Sequence, residues 1–249
     1  MGLKEISSLQ HPSVLLSVRL RQEKKEREKE GLVLVSGKKL ITDLSSFYPI
    51  HTLFFTKTPP NNLRAEKVFR ISPEVLKKIS GVAEKDGCAA WVPLPKPQSL
   101  EKKQHLLVLD GLGDPGNLGT LWRSALALGW EGIWLTPGTV DPFNDKALRA
   151  AKGATFRLPF DRISGEDIAR WVQKYGARLY TADLEGKPLC DCPRASSPIA
   201  LLLGSEGGGP RSWSDPISYK VTIPMKNEVE SLNVASAGAI LLYEMRPGI

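Results

Sequence analysis

From Gly31 to the C-terminus the chain alternates short apolar runs with amphipathic stretches, and no other feature constrains its fold as tightly. Residues 32–35, 53–56, 68–71, 88–92, 105–110, 132–136, 177–181, 199–203 and 219–223 read as strands. Residues 37–46, 73–79, 117–128, 142–151, 165–175 and 232–244 read as helices between them. Strands that are apolar almost throughout must be covered on both faces, and helices between successive strands supply that cover. The pattern predicts an α/β fold with a mostly parallel sheet.

Three prolines in Pro93-Leu94-Pro95-Lys96-Pro97 interrupt the alternation and favour a semi-rigid spacer. They predict a boundary between a domain over 1–97 and a second over 98–249. Charge divides at the same place. Residues 1–100 hold 17 Lys and Arg against 10 Asp and Glu, whereas the remainder holds 17 of each, so the whole net charge of +7 lies in the first part. A basic module beside an electrically balanced one suits a chain that grips a polyanion with one part and does chemistry with the other. Within it, residues 1–31 read as an exposed helix of interleaved Arg, Lys and Glu, ending at Gly31 as a C-cap.

Several function classes drop out. No apolar run reaches the ~20 residues of a membrane span. Cys88, Cys190 and Cys192 are odd in number and lack Cys-x-x-Cys spacing, which predicts a reducing, cytoplasmic setting without a disulfide framework. His11, His51 and His105 are scattered as ordinary surface or edge residues, and no metal constellation is visible. Gly111-x-Gly113-x-x-Gly116 fits the dinucleotide glycine pattern, but that site needs free backbone N–H groups and an acidic residue ending the next strand. Here Asp114 adds negative charge, Pro115 removes a donor, and the next strand ends in Leu135-Thr136-Pro137-Gly138. The dinucleotide reading is declined.

Three polar patches each follow a predicted strand of the second module, the edge where ligands collect in open α/β sheets. The first is Asn117-Leu118-Gly119-Thr120-Leu121-Trp122-Arg123-Ser124-Ala125, in which Leu118, Leu121, Trp122, Ala125 and Leu128 form an apolar stripe and Arg123 points away. The second is Gly204-Ser205-Glu206-Gly207-Gly208-Gly209 after an apolar strand. The third runs from Ile223-Pro224-Met225 through Ser231-Leu232-Asn233 into a helix rich in Ala235, Ala237, Gly238 and Ala239. Ser231 is expected to cap that helix, with Asn233 inside its first turn.

Together the three resemble the signature of the SpoU (TrmH) family of RNA ribose 2′-O-methyltransferases, in the SPOUT superfamily. Asn117, Gly119, Arg123 and Ala125 match its first motif; Gly204, Glu206 and Gly209 its second; Ile223 through Ala239 its third. Asp141-Pro142-Phe143-Asn144 is similar to a further family segment, and residues 6–12 and 30–37 resemble the substrate-binding domain preceding the catalytic one in many relatives. The resemblance implies a SPOUT-type sheet with a C-terminal trefoil knot, preceded by a small α/β RNA-binding domain. It implies a homodimer that uses S-adenosyl-L-methionine, needs no metal, and methylates RNA. Ribosomal RNA is the expected substrate; transfer RNA, or a non-catalytic RNA-binding role on the same fold, is the alternative. By the match, Gly204, Ile223 and Leu232, with Leu203 and Met225, hold the cofactor, while Asn117, Glu206, Ser231 and Asn233 orient Arg123 and the ribose. Removing a proton from an arginine of pKa ~13 costs about 8 kcal/mol at neutral pH, so Arg123 is expected to clamp a phosphate and stabilise the forming alkoxide rather than act as base.

Overall fold

The computed structural model describes residues 4–61, 63–82, 87–192, 198–205, 212–214, 217–226 and 228–248. The chain divides into two compact units: Met1–Pro95 with Phe143–Leu148, and Lys96–Pro142 with Arg149–Ile249.

The first unit runs β1 (Lys4–Ile6), α1 (Pro12–Gln22), α2 (Lys24–Glu30), β2 (Leu32–Ser36), α3 (Lys38–Leu44), β3 (Ile50–Phe55), β4 (Ala65–Ile71), α4 (Pro73–Ser80) and β5 (Cys88–Pro93). Its sheet is mixed, in the order β1-β4-β3-β5-β2, with β5 antiparallel to both neighbours. Residues 1–31 are not one exposed helix. Residues 4–6 pair with β4 instead, and the helical part breaks at Glu23, whose backbone is extended (φ −115°, ψ 116°). Arg27 explains the break, because it is only 3% exposed and its Nη1 donates to the Leu20 carbonyl at 2.7 Å. Folding α2 back delivers a guanidinium to the unsatisfied carbonyls that end α1. His11 also departs from the surface reading, since its Nδ1 accepts from Ser13 N at 3.2 Å and caps α1. Gly31 ends α2 in the left-handed region (φ 64°), as expected.

The second unit runs β6 (His105–Leu109), α5 (Pro115–Ala127), β7 (Gly132–Leu135), α6 (Asp145–Ala151, across the seam between the units), β8 (Phe160–Arg162), α7 (Gly165–Tyr175), β9 (Arg178–Pro188), β10 (Ile199–Leu203), β11 (Ser218–Thr222) and α8 (Val234–Glu244). All six strands are parallel, in the order β11-β9-β10-β6-β7-β8. β10 is buried along its whole length and β6 along all but His105, which is why both read as unbroken apolar runs. β8 was not legible in the sequence: three residues are too few to show a period. The core on one side of the sheet gathers Leu106, Val108, Trp134, Leu179, Ala200 and Leu202 against Ile168 and Trp171 of α7. On the other side α8 packs on α5 and β10.

Gly238 makes that last packing possible. A Cβ at this position would lie 2.4 Å from Leu121 Cδ2 on α5 and 2.6 Å from Leu203 Cδ1 on β10. At least this one of the small residues in α8 therefore serves packing within the chain.

Candidate functional site

Strand order brings separate stretches to one edge. β9, β10 and β11 are neighbours and parallel, so the segments leaving their C-terminal ends converge. There they surround a cavity of about 490 Å³, within the size range of preformed small-molecule sites. Leu203, Gly204 and Ser205 enter from β10; Val221, Thr222, Ile223 and Met225 from β11; Ser231, Leu232, Asn233, Val234, Ala237 and Leu241 from the approach to α8 and the helix itself. All five residues expected to hold a cofactor, Leu203, Gly204, Ile223, Met225 and Leu232, are in this wall, as are Ser231 and Asn233.

Asn233, not Ser231, caps α8. Its Oδ1 accepts from Ala235 N at 2.9 Å and Ser236 N at 3.3 Å, and the helix begins at Val234. A side chain two residues nearer the first turn reaches those N–H groups, whereas Ser231 stays exposed. Because Oδ1 is committed to the cap, Nδ2 faces outward and donates to Asn117 Oδ1 at 3.2 Å. This bond joins the first and third sequence patches directly.

Helix α5 starts earlier than expected, at Pro115, with Asp114 as its N-cap accepting from Asn117 N at 2.8 Å. The adjoining glycine loop offers no vacant anion nest. Gly111 N donates to the hydroxyls of Thr136 (3.2 Å) and Thr139 (3.0 Å), and Thr136 in turn donates to buried Asp110 at 2.5 Å. The residues that break the dinucleotide pattern thus serve as a helix cap and a first-turn proline.

Leu118, Leu121, Trp122 and Ala125 are buried along the α5 stripe, and Leu128 is half-buried. Arg123 is exposed on the opposite face and does not line the cavity. Glu206 and Gly209 lie outside the described residues. Sequence reasoning missed Ala182, Asp183 and Leu184, which complete the cavity wall from β9. The rule that selected Gly204 and Ile223, inspection of the residues just past a parallel strand, applied equally to them. Asp183 titrates below the ordinary aspartate range. Burial alone would raise it, but the Glu185 N–H and the Lys220 ammonium, 3.0 Å away, outweigh that. Among the described residues no cluster of His, Cys, Asp and Glu is arranged to hold a metal ion, no helix is long and apolar enough to cross a membrane, and all three cysteines are free.

Known proteins share this arrangement. Residues 104–243 match the SpoU rRNA methylase family, and residues 4–90 match the MRM3-like substrate-binding domain. The chain is 30% identical to the 23S rRNA (guanosine(2553)-2′-O)-methyltransferase RlmP of Bacillus subtilis, over 98% of this chain and 100% of that protein. It is 36% identical to the 23S rRNA (adenosine(1067)-2′-O)-methyltransferase of Streptomyces azureus, over 57% of this chain and 54% of that one. Its fold superposes on the AdoMet-bound rRNA methyltransferase of Sinorhizobium meliloti with a TM-score of 0.86 at 28% identity, covering 98% and 97% of the two chains. With the strand order, the cavity and these matches together, the chain belongs to the SpoU rRNA methylase family of S-adenosylmethionine-dependent RNA ribose 2′-O-methyltransferases.

Proposed function

We propose that this protein methylates a ribose 2′-hydroxyl of ribosomal RNA in the cytoplasm, as a homodimer, with the 1–97 module capturing the RNA and the 98–249 module carrying a trefoil knot around the cofactor. The observation that carries this reading is the hydrogen bond from Asn233 to Asn117, which ties the α5 motif bearing Arg123 to a wall of the cavity. The names of the relatives from B. subtilis and S. azureus favour ribosomal over transfer RNA.

The residues present fit the cofactor. Leu203, Ile223, Met225, Leu232 and Val234 offer an apolar wall, and Ser231 and Asn233 stand beside it as polar groups. When bound, S-adenosylmethionine supplies a methyl made electrophilic by its sulfonium. The chain's own residues position and polarise. Gly204, lacking a side chain, lets backbone come close to a ligand. Asn233 is held rigid by its cap and by Asn117, so it orients without reorganising. Ser231 presents an exposed hydroxyl for the incoming ribose. Arg123, on the exposed face of α5, clamps the adjoining phosphate and stabilises negative charge as the 2′-oxygen loses its proton to water. Glu206 enters this scheme through its motif alone.

Mapping ribose methylation across total RNA from cells with and without the protein tests the proposal. Loss of one mark in ribosomal RNA is the expected result. A lost mark in transfer RNA would move the substrate, and unchanged marks with no cofactor binding by calorimetry would overturn the enzymatic reading. Arg123→Lys retains charge but loses the planar fork, so full activity in that variant would remove the clamp role.

A further inference from the structure

β9 does not run straight past its neighbour. It pairs with β11 as far as Thr181 opposite Lys220 and resumes at Lys187 opposite Val221, so residues 182–186 leave the ladder across a single peptide bond. Gly186 closes the base of this excursion. A Cβ there would sit 2.7 Å from the carbonyl carbons of Lys220 and Val221 and from the Val221 nitrogen, so no larger residue fits without moving backbone. Inside the excursion Asp183 Oδ1 accepts from Glu185 N at 2.9 Å, and Oδ2 pairs with Lys220 Nζ at 3.0 Å. Both carboxylate oxygens are thereby engaged in holding the segment. Irregularities of this kind re-aim side chains beside functional sites.

What this one aims is Leu184. It lines the cavity yet is 62% exposed, and Leu232, at 36%, is the other exposed large hydrophobic in the lining. A leucine fixed at a cavity mouth by an ion pair and a glycine contact gains its cover when the cavity fills. We propose that the 182–186 excursion is a ligand wall in which Leu184 packs on the flat, apolar base of S-adenosylmethionine, with Asp183 as the positioning residue that holds it there through Lys220. The base is favoured over the methionine end because a leucine pressed on an ammonium and a carboxylate would desolvate charge without replacing its hydrogen bonds. This inference rests on the cofactor reading above.

Calorimetry on the full chain with S-adenosylmethionine, S-adenosylhomocysteine and adenosine tests it. Leu184→Ala should weaken all three ligands by about tenfold, since each carries the base. Asp183→Asn and Lys220→Met should each weaken them about threefold or more, the double variant no further than either single one, because one pair is broken in every case. Lys220→Arg should restore affinity. Amide exchange in residues 182–186 should quicken in Asp183→Asn and Lys220→Met without ligand, and should slow in the wild type on binding. Wild-type affinity in Leu184→Ala, or a loss confined to S-adenosylmethionine with adenosine unaffected, would overturn this proposal while leaving the cofactor reading intact. A wild-type chain that bound none of the three would overturn both.

Discussion

Replacing Gly238 by alanine measures how tightly α8 is seated on α5 and β10. Alanine is the better helix former, and in a helix interior the exchange alone would stabilise by about 1 kcal/mol. The structure opposes that gain. The new Cβ would stand 2.4 Å from Leu121 Cδ2 and 2.6 Å from Leu203 Cδ1, against ~3.5–4.0 Å for an ordinary carbon contact. Relief requires a shift of roughly 1 Å at two places. Leu121 is 0% and Leu203 1% exposed, so neither can swing into solvent. Overpacking of this kind costs about 1–3 kcal/mol, and two simultaneous contacts place this case at the upper end. The net expectation is a loss of about 2 kcal/mol, or a fall in Tm of roughly 4–8 °C for a chain of this size. Guanidinium unfolding followed by tryptophan fluorescence gives the first number and a thermal scan the second. Since Leu203 also lines the cavity, cofactor affinity should fall in parallel. Adding Leu121→Ala should cost less in the Gly238→Ala background than in the wild type, because the clash partner is then absent. A Gly238→Ala protein as stable as the wild type would mean that propensity alone operates here, and the packing argument for α8 would fail.

Asn233 separates capping from positioning. Asn233→Asp keeps an acceptor for Ala235 N and Ser236 N but loses the donor to Asn117, so Tm should hold while methyl transfer falls; Asn233→Ala should lose about 1 kcal/mol of stability as well. Thr181 is fully buried and its hydroxyl has no hydrogen-bond partner among the described residues. Thr181→Val should therefore raise unfolding free energy by about 1 kcal/mol, and a fall would reveal that the hydroxyl is used. Burial holds the His105 imidazole below its ordinary pKa, with Glu131 pulling weakly the other way. Between that lowered value and ~6.5 the unfolded chain binds more protons than the folded one, so stability is full above this window and declines as pH falls through it. Urea unfolding should show a flatter slope over that range in His105→Gln. If the basic module neutralises about five phosphates, log affinity for single-stranded RNA should fall against log salt with a slope near −3.5, and a salt-insensitive complex would remove the electrostatic account.

Much of the second unit was legible because its signals are local. Unbroken apolar runs at β6 and β10 report burial on both faces, and the α5 stripe reports a 3.6-residue period within one helix. What failed were features that depend on a distant partner. The break at Glu23 follows from Arg27 reaching the end of α1, and β8 is three residues that become a strand only beside β7. The cap of α8 was misplaced by two residues because Ser and Asn are both good caps; the bond to Asn117 that accompanies the choice of Asn233 spans 116 positions in sequence.

The amino-acid sequence by itself determined the alternating α/β plan, the uneven charge and the three motifs that mark the family, since these depend on nearest-neighbour sterics, residue chemistry and spacing. Only the tertiary structure decided that Gly238 serves packing inside the chain, that Asp114 is a cap, and that Asp183 and Leu184 belong to the site. The reason is geometric. Residues 182, 204, 223 and 232 meet because β9, β10 and β11 are neighbours in one parallel sheet, and strand order is settled by which faces bury together rather than by any pattern within a strand.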